Sequence, residues 1–265
     1  MNTKNFRAPS IFLGHGSPMN VIEDNDFNRE FKKLGENLKL DQIKGIIAIS
    51  AHWQTTGIKI QNSDFPKTIH DFYGFPETLY TMEYKAPGSK DLAKKVAAIL
   101  KNDNAHLTDE WGLDHGIWNV LWHLIPKANI PVVALSLNFD FSMQNHFEIG
   151  QKLRELRDEG YMIITSGNIV HSFRGIDFSN TQGANPLANK FNDYAKNMID
   201  QKNLEGLLSF SDEIMPSAQF SINSAEHYIP IFYTLATSFE DEKANFFNNQ
   251  IVFSTLSMLS FGYGI

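Results

Sequence analysis

Histidines are the residues of this sequence whose types and positions could do chemistry. His15, His52, His171 and His227 each lie where an apolar stretch or small residues give way to a turn, and His115 lies in a similar setting beside glycine. Neutral imidazole binds iron or zinc, and it is also the usual general base near pH 7. One such histidine is more often structural than functional. Five in similar contexts predict a metal site, a site for acid–base chemistry, or both.

The spacing of these histidines leaves both alternatives open. They are dispersed along the chain, so no short metal-binding motif such as His-Glu-x-x-His supports the metal interpretation. Cysteine is absent from the sequence. Any metal ion must therefore be held by histidine, aspartate or glutamate, and disulfide bonds and thiolate sites are excluded.

Predicted strands bring several of these histidines to one place. Residues 45–53 begin with glycine and continue as an apolar, β-branched run, which predicts a buried strand with His52 just past its end. The same order of apolar run, small residues and histidine recurs ahead of His15 and His171. In an open α/β sheet, ligands bind outside the carboxyl ends of the strands. We therefore expect these histidines to meet at that edge.

Strand and helix patterns alternate along the chain. Helical spacing or capping residues predict helices over residues 27–40, 89–100, 115–124, 143–158, 186–199 and 228–235, and residues 251–259 are a final strand candidate. This alternation predicts an α/β fold with a mainly parallel central sheet flanked by helices on both faces, and with the active site at the strand C-terminal ends. No linker or repeat interrupts the pattern, so we expect residues 1–265 to form a single catalytic domain.

Composition limits the expected partners and location. The chain has 23 basic and 30 acidic residues, for a net charge of −7, and its basic residues form no cluster with interleaved aromatics. Nucleic acid is therefore not an expected partner. The first seven residues lack the apolar core of a signal peptide, and nowhere do about 18 apolar residues run together. We expect a cytoplasmic protein without membrane contact, and a monomer and a small homo-oligomer fit equally well.

An aromatic segment provides candidate substrate contacts. Residues 65–80 combine two prolines and a glycine with five aromatic side chains, which is too irregular for a helix or a central strand. His70, Phe72 and Tyr73 could therefore line a pocket for a flat substrate. A loop that merely packs over the core is an equally good interpretation of the same residues.

Six motifs in order give the sequence a family resemblance. They are Gly14-His15-Gly16-Ser17-Pro18, Ser50-Ala51-His52-Trp53, His70-Asp71-Phe72-Tyr73-Gly74-Phe75-Pro76, Gly112-Leu113-Asp114-His115-Gly116, Ser166-Gly167-Asn168-Ile169-Val170-His171 and Glu226-His227-Tyr228. Together they resemble the motif set of the 4,5-DOPA extradiol dioxygenase family, a branch of the class III extradiol ring-cleavage dioxygenases. The resemblance extends from about residue 8 to the C-terminus.

The resemblance implies a role for each matching histidine. His15, His52 and His227 would bind the metal ion, and His171 would act as the acid–base residue. His115 would donate a hydrogen bond to substrate or oxygen. The implied reaction is the opening of a DOPA-like catechol ring beside its diol, with O2 as co-substrate and Fe(II) as the working metal. A site of three histidines would also accept Zn(II), which we expect in the purified protein.

The third ligand requires a choice between two adjacent residues. Non-haem iron oxygenases commonly use two histidines and a carboxylate, and class III enzymes in general have a glutamate as third ligand. On a helix, Glu226 and His227 point about 100° apart, so we expect only one of them to reach the metal. The resemblance favours His227, with Glu226 behind it orienting a ligand histidine.

Two other functions remain as alternatives. A zinc-dependent hydrolase could use the same scaffold, with a metal-bound hydroxide as nucleophile. The protein could also bind an aromatic ligand without turning it over. The aromatic segment at residues 65–80 suits a planar apolar substrate better than a peptide or a phosphate, which favours the dioxygenase.

Overall fold

An eight-stranded sheet with four parallel strands at its centre organises the structure. The computed structural model describes residues 6–179 and 183–265. Residues 1–5 and 180–182 of the predicted domain 1–265 lie outside the described residues. The strands are β1 (Ser10–Gly14), β2 (Gly45–Thr55), β3 (Ile58–Gln61), β4 (Ala105–Thr108), β5 (Val132–Asn138), β6 (Tyr161–Gly167), β7 (Asn245–Phe247), β8 (Ile251–Val252), β9 (Leu256–Ser257) and β10 (Ser260–Tyr263). The large sheet has the order β4-β3-β5-β2-β6-β1-β10-β7, and β8 pairs with β9 alone.

Nine α-helices connect the strands of the described chain. They are α1 (Asp26–Asn37), α2 (Glu77–Tyr80), α3 (Lys90–Ile99), α4 (His115–Leu124), α5 (Met143–Leu153), α6 (Pro186–Asp200), α7 (Leu204–Leu208), α8 (Met215–Ser221) and α9 (Pro230–Ala236). Several begin at side chains that cap free backbone N–H groups, among them Ser89 for α3 and Asp114 for α4. No helix of the described residues is long and apolar enough to cross a membrane.

Helices cover both faces of the sheet, as predicted. Strands β5, β2, β6 and β1 run parallel, and β10 is antiparallel to β1. Successive side chains of a strand point to opposite faces. Ile46 of β2 accordingly packs in a core with Trp118 of α4, and Ile47 packs in a second core with Val96 of α3. The α/β fold with a mainly parallel central sheet flanked by helices is therefore confirmed.

Strand β2 is longer than the sequence predicts, and His52 lies within it rather than past its end. The pairing with β6 ends at Ser50, and the pairing with β5 is interrupted between Ile49 and Gln54. An interruption of this kind bends a strand and redirects its side chains. The local run of small residues therefore marks an irregularity inside β2.

The C-terminal prediction is wrong in its details. Residues 251–259 do not form one strand, because Phe253 and Ser254 adopt positive φ angles of 50° and 66°. These angles turn the chain between β8 and β9, and the strand that joins the sheet is β10. The helix predicted from Tyr228 begins at Pro230, since proline favours the first turn of a helix.

A buried arginine ties the C-terminal segment to the start of β1. The Arg157 side chain is 0% exposed, and its Nη1 and Nη2 donate to the two carboxylate oxygens of Glu242 at 2.7 and 2.6 Å. Nε also donates to the Ala8 carbonyl oxygen at 2.8 Å, and Nη1 donates to that of Thr237 at 2.6 Å. Bidentate hydrogen bonds between an arginine and a carboxylate are among the strongest hydrogen bonds in proteins.

We expect Glu242→Ala to lower the free energy of unfolding by about 3–5 kcal/mol, because it leaves a buried guanidinium without its counter-charge. Glu240→Ala, at an exposed position nearby, provides the control and should change stability by less than about 0.5 kcal/mol. Urea denaturation of both variants measures the difference. Equal stability of the two variants would contradict this account of the Arg157 pair.

Candidate active site

Five imidazole rings meet at the carboxyl edge of the parallel strands. His15 follows β1, His52 lies in β2, His115 is the first residue of α4, His171 follows β6, and His227 ends a 3₁₀ turn before α9. The ring centroids are 5.0 Å apart for His15 and His52, 5.3 Å for His15 and His227, and 3.9 Å for His52 and His115. His171 stacks on His227 at 3.7 Å. The structure thus brings together the five histidines that the sequence singles out.

Two glycines permit this crowding. A Cβ atom at Gly167, the last residue of β6, would lie 2.2 Å from the His227 carbonyl oxygen. A Cβ atom at Gly116 would lie 2.4 Å from Ser50 Oγ and 3.0 Å from His52 Cδ2. At Gly167 the clash would be with main chain, so only glycine lets the His227 turn approach β6 this closely; at Gly116 a side chain would displace Ser50 and press on His52.

Each proposed metal-binding histidine has an oxygen atom against its Nδ1. If Nδ1 carries the proton, the lone pair of Nε2 is free, which is the state that binds a metal ion. The pairs are His15 Nδ1 with Ser166 Oγ at 2.9 Å, His52 Nδ1 with Asp71 Oδ2 at 3.1 Å, and His227 Nδ1 with Glu226 Oε1 at 3.1 Å. Glu226 therefore lies behind the His227 ring and contacts its far nitrogen.

The nitrogen positions fit a divalent metal ion. The Nε2 atoms of His15 and His52 are 3.2 Å apart. Two nitrogens bound at about 2.1 Å to one ion are separated by roughly 3–3.5 Å. Within the described residues, the histidines whose ligand atoms all lie within 4.8 Å of one another are His15, His52 and His115. His227 is not a member of this set; its ring centroid lies 5.1 Å from that of His52 and 5.3 Å from that of His15.

A carboxylate that the sequence analysis did not single out links two of the rings. Oδ2 of Asp71 lies 3.1 Å from His52 Nδ1 and 3.0 Å from His115 Nδ1, and Oδ1 accepts the His115 backbone N–H at 2.9 Å. Burial raises the pKa of Asp71, but the two imidazoles outweigh burial and hold it well below its ordinary value. The adjacency of Asp71 to His70 and Phe72 is the only local signal that could have suggested it.

Burial keeps most of these imidazoles neutral. Removal from water lowers the pKa of His171 to about 4 and that of His227 to about 3, and it lowers the pKa of His15 well below its ordinary value. Burial also lowers the pKa of His52, but Asp71 and Asp114 reverse this and raise it. Neutral imidazoles at pH 7 can bind a metal ion or accept a proton.

The histidines form the floor of a cavity of about 410 Å³ with aromatic walls. Phe72, Tyr73 and Phe75 of the aromatic segment line it, and Tyr73 is 91% exposed at its opening. Phe72 is buried, and its ring centroid lies 5.6 Å from that of His115. Both interpretations of the segment thus hold in part, because it packs on the core and also lines a pocket.

His70 is the predicted substrate contact that the structure does not bring to the cavity. Its Nε2 lies 2.9 Å from the Met82 carbonyl oxygen, and its ring packs against Phe72 and Trp118. His70 supports the wall rather than forming part of its surface.

The fold and the site define the class of protein: an α/β enzyme with a histidine-lined, aromatic-walled active site. Residues 9–264 match the model of the catalytic LigB subunit of aromatic ring-opening dioxygenase. The chain therefore belongs to this family and is an extradiol aromatic ring-opening dioxygenase.

Known proteins similar to the chain support this assignment. The chain is 41% identical to the 4,5-DOPA dioxygenase extradiol of Escherichia coli K12, over 97% of this chain and 95% of that protein. It is 31% identical to the 4,5-DOPA dioxygenase extradiol of Beta vulgaris, over 91% and 90%. The crystal structure of an uncharacterized protein from Escherichia coli K12 superimposes with a TM-score of 0.83 at 34% identity, covering 97% of this chain and 99% of the other.

We expect Asp71→Asn to weaken Zn(II) binding by about 10–100-fold, because both His52 and His115 lose their anionic partner. Competition with a chelator measures the affinity, and Asp109→Asn at an exposed position is the control. The asparagine retains an acceptor for the His115 backbone N–H, so the melting temperature should change little. Unchanged zinc affinity would show that Asp71 does not orient a ligand.

Proposed function

We propose that this protein opens the ring of a catechol with O2 in extradiol fashion and that Fe(II) is its working metal. The observation that carries the proposal is the meeting of five histidines, three buried and two half-buried, on the floor of an aromatic-walled cavity. The family and the names of the relatives support a catechol ring as the reacting group. When bound, Fe(II) supplies a Lewis acid and a redox centre for catechol and dioxygen.

We assign metal binding to His15, His52 and His227. Each has its Nδ1 against an oxygen atom, which leaves Nε2 free. Three protein ligands leave positions for substrate, which the reaction requires. The same three imidazoles suit Zn(II), so we expect zinc in protein purified without added iron. Glu226 holds the Nδ1 proton of His227 and thereby orients its ring.

His171 is the proposed acid–base residue. It lines the cavity and stacks on His227 with an angle of 3° between the ring planes. Burial lowers its pKa to about 4, so it is neutral at pH 7 and can accept the proton of a catechol hydroxyl. His115 packs against His52 with ring centroids 3.9 Å apart, and Asp71 Oδ2 lies 3.0 Å from its Nδ1, so its Nε2 would hydrogen-bond substrate or oxygen.

The aromatic wall would hold the planar ring and exclude water. Phe72 and Phe75 line the cavity with ring centroids 5.4 Å apart, and Tyr73 lies at the opening. A planar catechol can stack on such side chains. This wall and the family favour ring opening over the zinc hydrolase and the non-catalytic binding protein. The cytoplasmic location and the monomer or small homo-oligomer expected from the sequence stay predictions.

The third metal ligand can be tested directly, because His115 competes with His227 for this role. We expect His227→Ala to retain less than about a tenth of the metal bound by the parent, whereas His115→Ala keeps most of it. Elemental analysis after identical loading and desalting measures both. Loss of metal from His115→Ala with retention in His227→Ala would make His115 the third ligand and reverse the two roles.

The acid–base role of His171 predicts a second result. We expect His171→Gln, loaded anaerobically with Fe(II), to bind metal normally but to lose about 10²–10⁴-fold in the rate of O2 uptake with catechols. His106→Gln is the control, since His106 is exposed, does not line the cavity and hydrogen-bonds through Nε2 to Asn104. An oxygen electrode and the absorbance of the ring-opened product measure turnover.

Two outcomes of that experiment would contradict the proposal. A His171→Gln variant with parental turnover would remove His171 from the chemistry. A parent enzyme that consumes no O2 with any catechol, while its zinc form hydrolyses esters or amides, would favour the hydrolase instead.

A further inference from the structure

An apolar rim surrounds one side of the active-site cavity, away from the segment that carries Phe72. It consists of Phe173, Ile176, Phe178 and Phe253, which all line the cavity. We call these four residues the apolar rim. Phe173 is 64% exposed and Phe178 is 69% exposed. Large exposed aromatics that adjoin a cavity are typical of surfaces that bind a ligand.

The rim is held in place by hydrogen bonds between two loops. The loop after His171 donates the Asp177 N–H to the Phe253 carbonyl oxygen at 3.1 Å. In return, Thr255 Oγ1 donates to the Ser172 carbonyl oxygen at 2.6 Å. The rings of Phe178 and Phe253 pack at 5.4 Å as a consequence. A ligand would therefore meet a surface that is already formed.

Phe253 occupies a backbone conformation that phenylalanine rarely adopts. Phe253 and Ser254 have φ angles of 50° and 66°, in the left-handed region that favours glycine and asparagine. A bulky side chain at such a position costs conformational free energy, and residues of this kind cluster at functional sites. The conformation directs the Phe253 ring onto Phe178 at the cavity.

The charge of the cavity opposes an anionic substituent. Among residues 6–179 and 183–265, no lysine or arginine lines the cavity, whereas the Glu226 carboxylate does. Arg174 is exposed beside Phe173 but is not a lining residue. Lys85 is exposed and pairs with Glu83 at 2.8 Å. A carboxylate at the apolar rim would lose hydration without gaining a lysine or arginine as partner.

We infer that the apolar rim is a subsite for an uncharged, apolar substituent on the catechol ring, so that the enzyme prefers such catechols to those with a carboxylate. The inference rests on the proposed function, because it takes the catechol ring to lie on the histidine floor. The substituent would then extend from the ring between Phe173, Phe178 and Phe253. This preference is not implied by the names of the relatives.

Caffeate and methyl caffeate test the inference, since they share ring and side chain and differ in one negative charge. With Fe(II)-loaded enzyme, we expect kcat/KM for O2 uptake to be at least about 10-fold higher for methyl caffeate, mostly through a lower KM. Anaerobic titration of the Zn(II)-loaded protein with the same two compounds gives the dissociation constants without turnover. We expect the same order of affinity there.

Variants of the rim identify the residues responsible. Phe178→Ala should raise KM and Kd for methyl caffeate by about 5–10-fold and leave the kinetics with unsubstituted catechol unchanged, because catechol does not reach the rim. Phe253→Asn should have the same effect while the melting temperature stays equal or rises, since asparagine tolerates the left-handed backbone. Phe139→Ala, at an exposed position outside the lining residues, is the control.

The outcomes separate the inference from the proposed function. Equal or tighter binding of caffeate, or rim variants that affect methyl caffeate and unsubstituted catechol alike, would overturn the subsite. If no catechol supports O2 uptake in the Fe(II) form, the proposed function fails. The titrations of the zinc form would still report whether the cavity prefers the uncharged ester.

Discussion

Mutual repulsion among five adjacent imidazoles is the constraint on which this site depends. Protonation of one ring opposes protonation of the others, and burial opposes it for all of them. The pKa of His15 is lowered by burial first and then by the four other histidines. Asp71 and Glu226 relieve this constraint, because each holds the Nδ1 side of a ring with negative charge. The result is a cluster in which burial keeps most rings neutral, while Asp71 and Asp114 raise the pKa of His52.

Such crowding requires close approach of main chain from distant parts of the sequence. Glycine at the end of β6 admits the carbonyl group of His227, and glycine in α4 admits the side chain of Ser50. The interrupted pairing of β2 then directs His52 toward the same point. A strand, a helix, a 3₁₀ turn and two segments that follow strands thus contribute one ring each to a volume that no single element could fill.

Patterns that repeat along an element made much of the fold predictable. Apolar runs located β1, β2 and β6, and helical spacing with Ser89 as cap located α3. The short antiparallel pieces at the C-terminus were not predictable as they stand, because a turn with phenylalanine and serine at positive φ has no sequence signature. Asp71 was missed for a related reason. Its backbone contact to His115 spans 44 residues, and no local periodicity records a contact of that length.

The position of β1 has a consequence for how the chain matures during synthesis. β1 is made first, yet its neighbours in the sheet are β6 and β10, which are made much later. At roughly 5–20 residues per second, the nascent chain carries His15 without either neighbour for on the order of ten seconds. Contacts so distant in sequence also form slowly. The complete histidine set therefore comes together only after the last strands of the sheet have been made.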